Sequence, residues 1–315
     1  MRILKNNKFE IDMCNGSVMD KLISFSLPLM LSGILQLMFN AVDIIIVGRF
    51  TGSQALAAVG STTALINVFT NLFIGISLGS NVLAARFYAS GKAKEMSETV
   101  HTSILFALIS GIVMAIAGLL FSRLALELMG TPSDVISQSS LYMRIYFLGM
   151  PFFMLYNYGA AILRAIGDTK RPLFFLIISG LLNAGLNLFL VIVFHLGVAG
   201  VAIATIISQM VSCILVIRCL CRSEGIYQLH FSELTLKTAY LKQIFQVGIP
   251  AGIQSTVINF SNVLLQSSVN SFGSVAMAGY TAANNIFGFL YVAVNSITQA
   301  CMSFTSQNYG VGKYK

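Results

Sequence analysis

The sequence predicts an all-α integral membrane protein, and three observations support this prediction. Of the 315 residues, 56% are hydrophobic and only 10% are charged, whereas soluble domains usually carry about 25% charged residues. The mean hydropathy is +0.82. The apolar residues also form continuous runs, which is typical of spanning helices and not of the alternating strands of a β-barrel. A chain of this composition is suited to lipid rather than to water.

Continuous apolar runs long enough to cross a bilayer occur eight times. A bilayer core is about 30 Å thick, so a spanning helix needs about 20 apolar residues. We therefore predict eight transmembrane helices, at residues 22–47, 57–83, 99–121, 138–163, 173–195, 198–220, 243–270 and 276–306.

The lysines and arginines between these runs predict the orientation. With the N-terminus in the cytoplasm, 16 of the 19 basic residues, Arg164 among them, fall in cytoplasmic segments. Only Arg49 and Arg123 fall outside, and Arg144 lies within the fourth run. Cytoplasmic loops of membrane proteins carry such an excess of positive charge. We therefore expect a multi-pass protein of the plasma membrane with a cytoplasmic N-terminus.

The last two predicted helices repeat the first two. Pro28 aligns with Pro250 and Asn40 with Asn262 at one offset, and the segment YASGKAK at 88–94 aligns with YGVGKYK at 309–315. Both copies start on the same side of the membrane, so the repeat is parallel, an arrangement typical of transporters. The first copy has six helices and the second has two, so we expect a fragment that lacks about four helices.

The repeat divides the chain into four parts. Residues 1–21 form a cytoplasmic tail and 22–221 a first six-helix lobe. A polar cytoplasmic linker occupies 222–242, and 243–315 hold the first two helices of a truncated second lobe.

The first predicted helix carries a polar stripe. Ser32, Gln36, Asn40 and Asp43 fall within an arc of about 80° at 100° per residue. Asp43 is the only acid inside a predicted span. A charged aspartate in mid-bilayer costs at least about 2.5–3.5 kcal/mol, so it is expected to bind a proton or a cation. The alternative is that Asp43 meets water at the helix end or pairs with Arg49.

Polar side chains recur at helical spacing in the fifth and sixth predicted helices. Ser179, Asn183 and Asn187 share one face of the fifth, and the sixth carries a second polar set that begins at Thr205. Such amides and hydroxyls either bind ions or join helices by hydrogen bonds. The seventh helix has a polar face that includes Asn259 but no acid, because Leu265 aligns with Asp43.

Several classes of function have no residues to support them. The chain has no Walker A or G-x-G-x-x-G pattern and no H-E-x-x-H motif, so neither ATP use nor an enzyme is indicated. Its three histidines lie in separate segments without metal-ligand spacing. The net charge of +8 is spread between apolar runs, so we expect no nucleic-acid partner. We expect no cofactor, no catalytic residues and no metal other than Na⁺ at Asp43.

Two segments resemble one transporter family. The string LRAIGDTKRP at 163–172 and the string VDIIIVGRFTGSQALAAVG at 42–60 are similar to segments of the multidrug and toxic compound extrusion (MATE) family, as are the proline-led repeats. The resemblance implies a twelve-helix, monomeric antiporter that exports small organic, often cationic, compounds in exchange for H⁺ or Na⁺. Some members have a second aspartate where this chain has Asn187.

The resemblance also implies site residues. The cation site of the family maps onto Asp43, Asn183, Asn187 and Thr205. We expect a substrate cavity lined by polar residues of the first, second and seventh helices, namely Gln36, Asn40, Asn67, Asn71, Asn259 and Asn262. Two alternatives remain open: a lipid-linked-precursor flippase of a related fold, which should place more basic residues in the cavity helices, and a membrane receptor or scaffold without transport.

Overall fold

The computed structural model describes residues 9–270 and 274–313, and this part of the chain is almost entirely helical. A π-helical turn at Phe189–Val193 and a short 3₁₀ turn at Phe231–Glu233 interrupt the α-helical pattern. Every predicted run overlaps one or two of the observed helices. These are α1 (Val18–Phe50), α2 (Ser53–Ala89), α3 (Ala93–Leu128), α4 (Ile136–Leu148), α5 (Met150–Ala165), α6 (Lys170–Leu188), α7 (Gly197–Cys221), α8 (Thr238–Asn270) and α9 (Ser274–Gly310).

By length and apolar composition, fewer helices of the structure qualify as membrane-crossing than the eight that the sequence pattern predicts. Six described segments are long and apolar enough to cross a membrane, or seven if α4 and α5 form one bent span. The helix α8 has 33 residues but is not among them, because amides such as Gln246 and Gln254 interrupt its apolar sequence. The all-α membrane fold is confirmed, while the count of eight stays a prediction.

The fourth predicted run, 138–163, is not the single helix that we expected. It is split into α4 and α5, which meet at an angle of 47°. Pro151 stands in the first turn of α5, where its missing N–H and fixed φ are tolerated. The backbone N–H groups of Phe152 and Phe153 both donate to the Gly149 carbonyl at 3.1 Å, which starts the new helix. The Gly149–Pro151 pair was the sequence signal for this bend.

Each of the first two helices packs against a helix of the second copy of the repeat: α2 contacts α8, and α1 contacts α9. A Cβ on Gly75 of α2 would overlap the backbone of Gly252 in α8, and a Cβ on Gly252 would stand 2.7 Å from the Leu72 carbonyl oxygen. On α1, a Cβ at Gly33 would overlap Val292 of α9. Small residues at such positions allow backbones to approach closely. The first bundle is therefore joined to the helices of the second through glycine contacts.

The segment 163–172 forms the corner between α5 and α6. Asp168 accepts hydrogen bonds from the backbone N–H groups of Lys170 and Arg171, both at 3.1 Å, and pairs with the Arg171 guanidinium. Gly167 has φ +92, which favours glycine, and a Cβ there would overlap the backbone of Ile11. The corner is thereby fixed against the N-terminal tail, so this motif has a structural role at the end of the bundle.

Candidate functional site

Six helices of the first bundle, α1, α2 and α4 to α7, enclose a cavity of about 390 Å³ that we name the Asp43 cavity. Asp43 is the only carboxylate among the described residues that line it. The other polar side chains of its lining are Gln36, Asn40, Asn67, Thr70, Asn71, Tyr142, Tyr146, Tyr156, Asn157, Ser179, Asn183, Thr205, Ser208, Gln209 and Ser212.

Asp43 is hydrogen-bonded to α6. The side-chain amide of Asn187 donates to the Asp43 carboxylate and also to the Asn183 Oδ1 at 3.2 Å. Asn187 is fully buried, and its own Oδ1 has no hydrogen-bond partner among the described residues. A buried amide oxygen without a partner is costly and is well suited to a cation. Arg49 is in none of the ion pairs found in the described ranges, so Asp43 has an amide partner rather than Arg49.

Thr205 lines the same cavity from α7 but does not join this hydrogen-bonded group. Its hydroxyl donates to the Val201 carbonyl of its own helix at 2.9 Å, which leaves the lone pairs of the oxygen free to face the cavity. The structure thus brings Asp43, Asn183 and Asn187 together and places Thr205 in the lining of the same cavity.

The predicted cavity residues of α1 and α2 all line the Asp43 cavity. These are Gln36, Asn40, Asn67 and Asn71. The side chains of Asn259 and Asn262 in α8 lie outside the described residues.

The α4–α5 bend contributes cavity residues that the sequence reasoning missed. Tyr142 and Tyr146 of α4 and Tyr156 and Asn157 of α5 line the Asp43 cavity. The Asn157 side chain donates to the Phe153 carbonyl at 2.8 Å, and the Tyr156 hydroxyl donates to the Pro172 carbonyl at 3.3 Å. A lone asparagine in the apolar run 150–159 was a signal that could have identified Asn157.

A second cavity of about 240 Å³ lies between α1, the end of α5 and α9. We name it the Arg164 cavity, since Arg164 is the only charged residue that lines it in the described part of the chain. We expected Arg164 in a cytoplasmic loop, but it stands in the last turn of α5. Arg144 is exposed and lines neither cavity. The polar lining of the Arg164 cavity is completed by Ser32, Gln36, Asn40, Asn295, Ser296 and Gln299.

Comparison with known proteins identifies the family. The MatE family model matches residues 28–189 and 250–315, which is most of the chain. The chain belongs to the MatE family. Its members are transporters and not enzymes, so the resemblance found in the sequence is confirmed.

Curated relatives of this MatE protein are bacterial multidrug proteins. "Probable multidrug resistance protein YoeA" of Bacillus subtilis (strain 168) is 32% identical over 307 residues, covering 95% of this chain and 66% of that protein. YpnP of the same strain, also described as a probable multidrug resistance protein, is 28% identical and covers 96% and 68%. "Multidrug export protein MepA" of Staphylococcus aureus (strain NCTC 8325 / PS 47) is 24% identical and covers 94% and 66%. The chain spans about two thirds of the length of these relatives.

Solved structures share the fold. An outward-facing multidrug resistance MATE family transporter of the MOP superfamily superimposes with a TM-score of 0.91 at 23% identity, covering 98% of this chain and 69% of that one. A MATE structure in the bent conformation gives a TM-score of 0.88 at 23% identity, with coverage of 96% and 67%. At this identity the likeness establishes the MATE transporter fold.

Proposed function

We propose that this protein is a secondary active exporter that carries small organic compounds, often cationic ones, out of the cell in exchange for H⁺ or Na⁺. The observation that carries the proposal is the single carboxylate of the polar Asp43 cavity, hydrogen-bonded to Asn187. An isolated acid inside a membrane bundle is expensive unless it binds a cation or a proton. The multidrug relatives favour organic compounds as the cargo.

In this proposal the coupling ion binds at Asp43. The carboxylate supplies the charge and the unpartnered Oδ1 of Asn187 supplies a second oxygen, with Asn183 and Thr205 in the lining of the Asp43 cavity. Carboxylate and amide oxygens are suitable ligands for a hard cation. A proton on Asp43 would neutralise the same charge, so either ion reduces the polarity of the cavity and favours release of the solute.

The solute would occupy the polar surface that Gln36, Asn40, Asn67 and Asn71 provide, together with the aromatic wall of α4 and α5. Exchange by alternating access would open this surface to each side of the membrane in turn, as transporters built from repeats do. One charge that crosses 100 mV supplies about 2.3 kcal/mol, which sustains a solute gradient of less than about two decades.

We further propose that the protein works as a monomer in the plasma membrane, with its N-terminus in the cytoplasm, in contact with lipid and small solutes and without nucleic acid. A lipid-linked-precursor flippase is less well supported, because Arg164 is the only basic residue in the described linings of the two cavities. A scaffold without transport gives no reason for an acid in a polar cavity.

Efflux from vesicles with imposed gradients tests the proposal. The protein is reconstituted in proteoliposomes loaded with the cationic dye rhodamine 123, and an inward-directed gradient of H⁺ or of Na⁺ is imposed separately. We expect efflux driven by at least one gradient and abolished when that gradient is collapsed. Dye movement that ignores both gradients would contradict secondary active transport.

A further inference from the structure

Arg164 has no counter-ion in the described part of the chain. Its half-buried side chain lines the Arg164 cavity. All 11 acids of the sequence lie between Glu10 and Glu233, and none is within ion-pair distance of Arg164. The neighbouring acid, Asp168, pairs with Arg171 instead. An arginine inside a membrane bundle normally pairs with an acid or with backbone carbonyls, so the environment of Arg164 is incomplete.

The other polar residues of the cavity are neutral groups that can donate hydrogen bonds. Gln36 and Asn40 come from α1, and Asn295 and Gln299 come from α9. Each primary amide offers two N–H donors, and the guanidinium offers five in a planar fork. Arginine binds carboxylates and phosphates through two parallel hydrogen bonds. The lining therefore offers one positive charge together with neutral groups that can donate to an anion, and no described acid opposes an incoming anion.

The Arg164 cavity and the Asp43 cavity share part of their lining. Gln36 and Asn40 line both. A solute that occupies the two cavities together would meet a carboxylate at one end and a guanidinium at the other. Charges of opposite sign on the solute would be matched at both ends, while a purely cationic solute would leave the guanidinium unpaired.

We propose that Arg164 binds the carboxylate of the transported solute, and that the Arg164 cavity and the Asp43 cavity, together called the cleft, select zwitterionic organic compounds over their cationic esters. This inference rests on the proposed transport function, because it specifies the class of solute that the same cleft takes. The cationic part of the solute extends into the Asp43 cavity, and Asn295 and Gln299 of α9 orient the carboxylate.

A matched pair of dyes tests the inference. Rhodamine 110 carries a free carboxylate, and rhodamine 123 is its methyl ester with the same cationic ring system. Binding of each dye to the purified protein in neutral detergent is measured by fluorescence anisotropy. We expect rhodamine 110 to bind about tenfold more tightly, which corresponds to about 1.4 kcal/mol. Arg164→Gln is expected to remove this preference by weakening rhodamine 110 alone.

Two further variants serve as controls. Arg164→Lys keeps the charge without the fork and is expected to retain part of the preference, which covers the case in which Arg164→Gln fails to fold. Arg144→Gln removes an exposed arginine outside both cavities and is expected to leave both affinities unchanged. Equal affinity for the two dyes, or an equal loss of both in Arg164→Gln, would overturn the assignment of a carboxylate site.

The remaining outcomes separate this inference from the proposed function. Failure of the wild-type protein to bind either dye would count against the cleft as a solute site, and so against both proposals. Binding of both dyes without a preference would overturn the carboxylate site alone. A lipid phosphate could use the same chemistry, so the titration is repeated with added phosphatidylglycerol. Strong competition by this lipid against rhodamine 110 but not rhodamine 123 would assign Arg164 to a lipid headgroup and overturn the solute site.

Discussion

The two cavities along α1 share two amides but differ in charge and in hydrogen bonding. In the Asp43 cavity, the carboxylate is held by Asn187, whose amide also bonds to Asn183. In the Arg164 cavity, the guanidinium has no ion-pair partner among the described residues, and the amides of Gln36 and Asn40 line the cavity. The acid thus belongs to a preformed site, whereas the arginine faces an open one. One helix can therefore present a site for a small ion and a site for a larger group.

Of the four substitutions considered for the two cavities, Asp43→Asn is expected to have the largest effect on transport. Asparagine keeps nearly the same shape but cannot exchange a proton and offers no formal charge to Na⁺. Gradient-driven efflux in proteoliposomes should be lost. Expression and Tm should hold or rise, because the charged form carries an insertion cost of about 2.5–3.5 kcal/mol. Coupling equal to that of the wild type would reduce Asp43 to a hydrated residue without a role in ion exchange.

Gly33→Leu should disturb the Arg164 cavity and spare the Asp43 cavity. A side chain at Gly33 would overlap Val292, and overpacking of this kind costs about 1–3 kcal/mol. The Tm should fall and the affinity for rhodamine 110 should drop.

Gly60→Leu is the matched control for Gly33→Leu, since a Cβ at Gly60 meets no atom within 4 Å. It should be neutral or slightly stabilising, by up to about 1 kcal/mol, because Gly is a poor helix former. Equal Tm losses in both variants would contradict the α1–α9 packing.

Asn187→Asp should sharpen the ion preference of the Asp43 cavity. A second carboxylate would stand beside the Asp43 carboxylate, which Asn187 now contacts. Two carboxylates 4 Å apart repel each other by about 4 kcal/mol at an effective dielectric constant of about 20. A Na⁺ bound between them is attracted to both and removes this repulsion, so its binding is strongly favoured. The Na⁺ concentration for half-maximal efflux should fall by at least about tenfold. An unchanged or higher concentration would show that the two side chains do not share an ion.

Thr205→Val should have the smallest effect. It removes one hydroxyl from the lining of the Asp43 cavity and nearly keeps the volume. A neutral hydrogen-bonding group is worth about 1 kcal/mol, so the Na⁺ affinity should weaken by about fivefold. Thr63→Val is the control, because the Thr63 hydroxyl also donates to a carbonyl of its own helix, that of Val59, at 2.9 Å, but lies outside the cavity lining. Equal changes in both variants would exclude Thr205 from the ion site.

The polar faces could be predicted from the sequence because helical spacing determines which residues share a face. Asn183 and Asn187 are four residues apart and lie on one side of α6. The contact of Asn187 with Asp43 joins residues 144 positions apart, and no spacing rule relates them. The family resemblance supplied that link.

The α4–α5 bend and the place of Arg164 were missed for a related reason. Apolar composition continues through 138–163, so hydropathy conceals the break at Gly149. Counting the lysines and arginines between apolar runs assigns Arg164 to a loop, because the count uses no information on packing. Its position in the last turn of α5, facing α9, depends on packing between two distant helices.

The glycine contact between α2 and α8 has a mechanical consequence. Where Gly75 meets Gly252, backbone touches backbone, and neither glycine has a rotamer to change when the crossing angle changes. Treated as a pivot, the contact has unequal arms on α2. Ser53, 22 residues from Gly75, lies about 33 Å away at a rise of 1.5 Å per residue, while Ala89 lies about 21 Å away on the other side. A tilt of about 10° would displace the end of the long arm, at Ser53, by about 6 Å, which is close to the pitch of one helical turn.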